Sequence, residues 1–540
     1  MTRQESDPVG PRSFEEWSTY LGDLDAQEKH EEAIAATRML MRQISRDAKA
    51  RALCARHLID SGAIVKDLGA IEEGRGLIQS LLVRKTKSTA VTAALEYNLT
   101  NSFAAEYHIF SERGDLHRAR EALREQRERL QRLLLEKELG VDLQIMAHTN
   151  LANALDETGR TIEAIDHYNI AWSLDLRHML AKGNCGTALC RLASASHTHG
   201  WRNFDAGLAL LQEACGAPDD VRIYANDVAV GRLEKRLKQA LGRIERRKDG
   251  VAGFENWRAH RREAHGQPAC GPWLARVLTD RLLLSLNQFP LASAEEARDD
   301  LFFATLSSGI DTGSEQWALG LIYLLNAIKE EYATARFLYY QALDASSPEL
   351  VACDKVTQYA DPGSFARFGL DVGLLKTGFR VSIDILDKIA FFLNQYLRLG
   401  QPEDRVDFRN VWYADCSAKK GEHPTLGERI KSRNWLRALS DMREDWFADR
   451  FPGRFRDLRN IGTHRGLILF SAEGGELSEE IKTVQDHARE TLLMLRTAKA
   501  AIEYLVLFID EEEKARRAAD NGRRSAIRHL GFRAGGTDKG

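Results

Sequence analysis

The run Phe455-Arg456-Asp457-Leu458-Arg459-Asn460-Ile461-Gly462-Thr463-His464-Arg465-Gly466 holds the residues best suited to chemistry. Arg459, Asn460 and His464 stand at fixed spacing: a guanidinium, a carboxamide directly after it, then an imidazole. From position 454 to 465 there are four Arg (454, 456, 459, 465) and one Asp (457). Positive charge is thus concentrated around a group that titrates near neutral pH. A helix turns about 100° per residue, so Asn460 and His464 would share a face, while Arg459 and His464 would not align. Gly462 between them could relax the backbone. Such a group suits gripping a phosphate and shuttling a proton. The same spacing also fits a solvated, Arg-rich helix end, so both readings stand on spacing alone.

Composition removes several other functions. The 540 residues carry 76 Lys and Arg against 79 Asp and Glu, a net charge of −3. No global field draws nucleic acid, so any such binding must use local patches. At roughly 100–200 residues per domain, the length allows about two to four domains. Apolar content of 44%, charged content of 29% and only 11 Pro describe a globular chain rich in long amphipathic helices. The N-terminal Met-Thr-Arg-Gln-Glu-Ser-Asp has no apolar core for a signal peptide. Apolar runs such as Tyr504 to Ile509 are too short to span a bilayer. Seven Cys with no Cys-x-x-Cys spacing read as reduced, buried thiols. A cytoplasmic protein with no membrane contact is expected. Phosphate-cradling Gly-rich loops and the Gly-x-Ser-x-Gly elbow are missing from the sequence. His260, Glu263 and His265 miss the known zinc spacings, which rely on helical His pairs. No cofactor and no metal is expected.

The elements that must position the Arg/His run read as helices. Residues 1–12 form a disordered lead, and Ser13 caps a first helix with Glu16 three residues on. Helices separated by short Gly-Asp, Gly-Ala and Gly-Arg breaks follow. The clearest unit runs from Ile145 to Asp175: Asn150, Leu151, Ala152 and Leu155, a turn at Gly159, then Ala164, Tyr168 and Ala171. Small residues let two helices approach and large ones fill between them, which resembles a tetratricopeptide repeat. Asn98-Leu99-Thr100-Asn101 echoes it upstream, with Gly114, Ala119 and Leu123. Asn184-Cys185-Gly186 echoes it 34 residues downstream, with Ala206 and Leu210. Residues 13–240 therefore form a tetratricopeptide-like helical array with a face suited to an extended protein or peptide ligand, or to scaffolding alone. Residues 241–300 are a connector with helices, and 273–350 return to helix. A strong helix carries Leu375, Phe379, Ile383, Leu386, Ala390, Leu393 and Leu397 and ends at Gly400. Its polar side pairs Arg380 with Asp384 and Asp384 with Lys388, and Asp387 sits at the stripe's edge. Residues 401–425 are a loop-rich insert. A further helix spans Arg429 to Phe447, Ser478 caps the last long helix, and 511–540 are a basic, disordered tail.

Leu375-Lys376-Thr377-Gly378-Phe379-Arg380 through Ile385-Leu386-Asp387-Lys388-Ile389-Ala390-Phe391-Phe392-Leu393-Asn394-Gln395-Tyr396 resembles the first helix of a bacterial HEPN domain lying behind tetratricopeptide repeats. Arg459-Asn460-x-x-x-His464 resembles the superfamily signature of Arg, a polar residue, and His four to six positions after the Arg. The resemblance covers roughly residues 300–510. It implies an all-α chain: a helical repeat array, then a four- or five-helix HEPN-like bundle over 301–510. It also implies a metal-independent ribonuclease acting on RNA as a homodimer, of a kind found among toxins and anti-phage defence proteins. Arg459, Asn460 and His464 would be catalytic, with Asp387, Arg456 and Arg465 in support. The alternative is a non-catalytic adaptor that binds a protein or nucleotide through the repeats and bundle.

Overall fold

The structure is a computed structural model that describes residues 13–43, 47–83, 89–136, 139–195, 200–225, 227–245, 271–288, 297–308, 312–344, 346–360, 365–447, 467–471, 482–519 and 525–526. Among these the chain is almost wholly helical. The N-terminal helices are α1 (Phe14–Ala26), α2 (His30–Gln43), α3 (Ala48–Val65), α4 (Leu68–Leu82), α5 (Thr89–Glu112) and α6 (Leu116–Leu133). Then come α7 (Val141–Glu157), α8 (Thr161–Leu174), α9 (Met179–Ala195), α10 (Gly200–Gly216), α11 (Pro218–Arg222) and α12 (Asp227–Glu245). The remainder are α13 (Pro272–Thr279), α14 (Thr312–Leu343), α15 (Pro348–Asp354), α16 (Leu370–Leu397), α17 (Pro424–Ser432), α18 (Asn434–Phe447) and α19 (Val484–Ala519). Strand is confined to two-residue segments: β1 (Ser307–Ser308) pairs antiparallel with β4 (Ser525–Ala526), and β2 (Ala366–Arg367) with β3 (Leu469–Phe470). No helix among the described residues is long and apolar enough to cross a membrane.

The helix boundaries follow local chemistry. The Ser13 hydroxyl accepts the Glu16 N–H at 3.1 Å, and Asp47, Asp67 and Asp115 carboxylates cap α3, α4 and α6. Each satisfies amides that the first helical turn leaves without partners. Gly114 and Gly159, between α5 and α6 and between α7 and α8, have φ of 75° and 87°. Only glycine takes that region without steric cost. Other glycines expected as breaks lie inside helices. Gly62 and Gly74 belong to α3 and α4, and a methyl placed on Gly74 would come within 2.8 Å of the Ala55 carbonyl oxygen. These glycines let helices touch, so they mark contacts and not chain breaks.

The chain divides into two compact units, the first made of residues 1–157, 166–184 and 219–225. Its cores are small and sequential: Trp17, Leu21, Leu24, Leu40 and Cys54 form one, and Ile59, Ile78, Leu95, Leu99 and Phe103 another. The echoed Asn positions form a ladder. The Asn150 amide donates to the Tyr97 hydroxyl at 2.9 Å and to Asn101 Oδ1 at 3.2 Å. Asn184 Nδ2 and the Tyr168 hydroxyl both donate to Asn153 Oδ1, at 3.0 and 2.7 Å.

The second unit comprises residues 158–165, 185–218 and 226–540, so α10 and α12 group with the C-terminal helices. Its axis is α19. From Met494 to Glu513 this helix is buried almost all round, which marks a central and not a surface helix. Trp317 of α14 stacks on Tyr396 of α16 at 5.9 Å, and Phe508 meets Tyr396 edge-on at 6.0 Å. Each such fully buried side chain stabilises the fold by roughly 1.5–3 kcal/mol.

Four expectations change here. Residues 280–288 and 297–306 are extended and not helical. Their backbone is satisfied by side chains: the Tyr332 hydroxyl and Arg336 Nη1 both donate to the Leu282 carbonyl, at 3.0 and 2.7 Å. The single helix expected over Arg429–Phe447 breaks at Arg433, which is extended because its guanidinium reaches Glu512 at 2.8 Å. Lys388 pairs with Glu331 of the adjacent α14. The last helix begins at Val484, where the Thr483 hydroxyl accepts the Asp486 N–H at 3.1 Å, and it runs on through Lys514 to Ala519. Glu512 and Glu513 are therefore buried helix residues and not part of a tail. Ser478, His197, His199, His260, Glu263 and His265 lie outside the described residues.

Candidate functional site

Arg456, Arg459, Asn460, His464 and Arg465 lie outside the described residues, within 448–466. What the structure defines is the frame that holds the two ends of that segment. Before it comes α18. After it, β3 is clamped on both sides. Its register sets Ala366 opposite Phe470 and Arg367 opposite Leu469. The Ser471 N–H donates to the Phe365 carbonyl at 2.9 Å, and the Phe470 N–H to the Lys482 carbonyl at 3.0 Å. The chain leaving the Arg/His run is thus fixed to the starts of α16 and α19 together.

Beneath that clamp lies a buried polar cluster. His487 is fully buried, its ring 5.0 Å from the Phe379 ring, and neither ring nitrogen has a hydrogen-bond partner. Its Nδ1 is 3.6 Å from Glu490 Oε2, and Glu490 is ion-paired with Lys482. Burial is the main cause holding the His487 pKa below 6.5. Glu490 pulls the other way, and the Lys482 and Lys376 charges add to the lowering. The ring is therefore neutral at neutral pH and closed to solvent. It is a positioning group under β3 and the start of α19. Sequence reading missed it because His487 falls on the same helical stripe as Val484 and Ala488, which looks like core. The spacing His487-x-x-Glu490 was the available signal.

A second cluster surrounds Asp387. Its Oδ1 accepts the Phe408 N–H at 3.0 Å, so the carboxylate pins the 401–425 insert to α16. That insert is not a loose loop: Phe408, Val411 and Trp412 are fully buried. The Trp412 indole donates to the Phe408 carbonyl at 2.7 Å, and Gln401 Nε2 donates to the Val411 carbonyl at 2.8 Å. On α18, one turn before the Arg/His segment begins, the Arg443 guanidinium lies 5.1 Å over the Tyr413 ring and pairs with Glu444. Burial lowers its pKa, but a guanidinium remains charged at any ordinary pH. Asp387 and Arg443 thus hold the insert from two helices, and the structure assigns both a supporting place around the segment's entry.

The acids of α19 are structural. Glu512 takes Arg429, Arg433 and Arg516 at 3.2, 2.8 and 3.3 Å. Glu513 accepts from the Tyr396 hydroxyl at 2.8 Å, and the Asp510 carboxylate from the Thr305 hydroxyl at 2.6 Å. Among the described residues no group of three His, Cys, Asp or Glu is placed to hold a metal ion.

Residues 317–512 match the family model described as LA2681-like HEPN. The match spans α16, the insert, α17, α18, the Arg/His run and the buried length of α19. No curated protein matches the chain.

Proposed function

We propose that this chain, whose residues 317–512 form a HEPN domain, is a metal-independent endoribonuclease. The observation that carries the reading is the Arg459-Asn460-x-x-x-His464 run inside the matched residues. RNA brings its own nucleophile, the 2′-hydroxyl beside the scissile phosphate. Cleavage then needs a proton acceptor or donor and a cation on the developing phosphorane charge. His464 serves as the proton-transfer group, worth roughly 10²–10⁴ in rate. Arg459 contacts the non-bridging oxygens bidentately. Asn460 holds His464 or the ribose by hydrogen bond, and Arg456 and Arg465 bind flanking phosphates. Asp387 supports the site through the insert it pins, and orients Arg459.

One His464 gives one proton-transfer group, whereas the reaction uses both a base and an acid. A two-fold homodimer through the bundle would set two copies of the run across a shared groove. The helical repeats would then carry the regulating protein or peptide ligand, as expected of a toxin or defence nuclease held in check.

The test is cleavage of single-stranded RNA in EDTA by wild type, Arg459→Ala and His464→Ala, with thermal unfolding of each. Both variants should lose activity by at least about 100-fold while unfolding at the wild-type temperature. Full activity in either variant, or absolute dependence on Mg²⁺, would remove the assignment and leave the adaptor reading.

A further inference from the structure

Far from the Arg/His run in sequence, α9, α10 and α12 enclose a cleft of roughly 380 Å³. Its floor follows from two glycines. Gly186 of α9 and Gly207 of α10 cross so closely that a methyl on Gly186 would lie 2.6 Å from the Gly207 carbonyl oxygen. That crossing sets the Cys190 thiol and the Leu211 side chain at the base of the cleft. Burial pushes the Cys190 thiol up to about 12, so it is an apolar floor and not a nucleophile.

The walls follow from helical spacing. Thr187 and Arg191 lie one turn apart on α9, and Arg236, Gln239, Ala240 and Arg243 follow one stripe of α12. Three guanidiniums therefore line the cleft, and no carboxylate lines it. Arg243 is held in place: its Nη1 donates to the Cys190 carbonyl at 3.3 Å and to the Ser194 hydroxyl at 3.0 Å. Arg236 makes no hydrogen bond or ion pair with any described residue, so its five donors face the opening. Three cations facing one another repel, and an arrangement of this kind gains stability when an anion sits between them.

We propose that this cleft binds a small phosphorylated ligand of mononucleotide size, with Arg191, Arg236 and Arg243 on its phosphates. Guanidinium forks match phosphate oxygens bidentately. The Leu211 and Ala240 surfaces suit the flat apolar face of a base, and the Thr187 hydroxyl and Gln239 amide suit its polar edge. The volume is at the lower end of the range for small-molecule sites, about 300–1,000 Å³, and excludes a polymer strand as the occupant. The site is separate from the ribonuclease reading and stands or falls without it.

The experiment is calorimetric titration of the full-length protein with ATP, AMP, pyrophosphate, adenosine and a short single-stranded RNA. Arg236→Ala and Arg191→Ala are titrated beside wild type, and His464→Ala serves as the control for the other site. Both cleft substitutions are at exposed positions, and circular dichroism checks their folding. ATP and pyrophosphate should bind wild type and His464→Ala alike. They should bind each Arg variant roughly 10- to 100-fold more weakly, and adenosine should not bind. Arg236→Lys should recover part of the affinity. Failure of both ATP and pyrophosphate to bind, equal binding by the Arg variants, or an RNA-only response to those variants would each overturn the assignment.

Discussion

The two units bury polar groups by opposite means. In the first, the ladder of Asn101, Asn150, Asn153 and Asn184 is neutral, and each amide meets a partner on a neighbouring helix of the array. In the second, α19 buries Lys499, Glu503, Asp510, Glu512 and Glu513, whose partners come from distant elements: Gln288, Thr305, Tyr396, Arg429 and Arg433. Neutral amides cost little to bury once hydrogen-bonded, whereas buried charges cost several kcal/mol each unless paired. The array can therefore vary helix by helix. The bundle is committed to one arrangement, because moving any element that faces α19 strands a charge. A frame of that kind suits holding the two ends of a reactive segment in register.

The sharpest way to break this comparison is at Glu512, which is 3% exposed beneath three Arg side chains. Glu512→Ala should destabilise by roughly 3–5 kcal/mol, because Arg429 and Arg433 are left half-buried without a counter-charge. A urea midpoint within about 1 kcal/mol of wild type would mean that charge pairing does not hold the α17–α18 corner.

A pH series tests the first unit. His178 is buried against Tyr224 at 3.9 Å with Thr149 as a hydroxyl partner, and burial pushes its pKa down to about 4 although Asp175 opposes this. A depressed His pKa contributes stability above 6.5 that is lost as pH falls toward 4, at up to about 1.4 kcal/mol per pH unit. Asp510 in the second unit has the opposite sign. Burial pushes its carboxyl up to about 6, so its contribution is present below 3.8 and lost as pH rises through 6. Urea midpoints at pH 7, 6 and 5 should show His178→Gln flattening the acid loss and Asp510→Asn steepening it. Identical slopes in the two variants would defeat the assignment.

The smallest effect belongs to the ladder. Asn153→Ala should cost about 1 kcal/mol, since it removes neutral hydrogen bonds from Tyr168 and Asn184. A loss as large as that of Glu512→Ala, read by the same denaturation, would erase the contrast between the units.

Much of the frame was legible before any coordinates. The capping Ser13, the Gly114 and Gly159 turns and the α7–α8 pair follow from side-chain types at helical spacing, because caps, turns and amphipathic stripes are local. So was the Arg459–Asn460–His464 run, whose side chains suit phosphate chemistry in any context. The break at Arg433 was not legible, because Glu512 lies far along the chain. Neither was the extended course of 280–306, where apolar residues such as Leu282 and Leu284 suit a helix as well as a strand.

The sequence by itself determined that this protein is helical, where most helices start and stop, and which residues are fit to cleave or bind a phosphate ester. Tertiary structure alone decided that α19 is the buried axis, that Asp387 pins the insert, and that His487 is a neutral, sealed group beneath β3. It also decided that three Arg on α9 and α12 line one cleft. The physical reason is one of range. Backbone capping and helical periodicity act over a few residues, whereas burial and charge pairing depend on side chains brought together from more than a hundred positions apart.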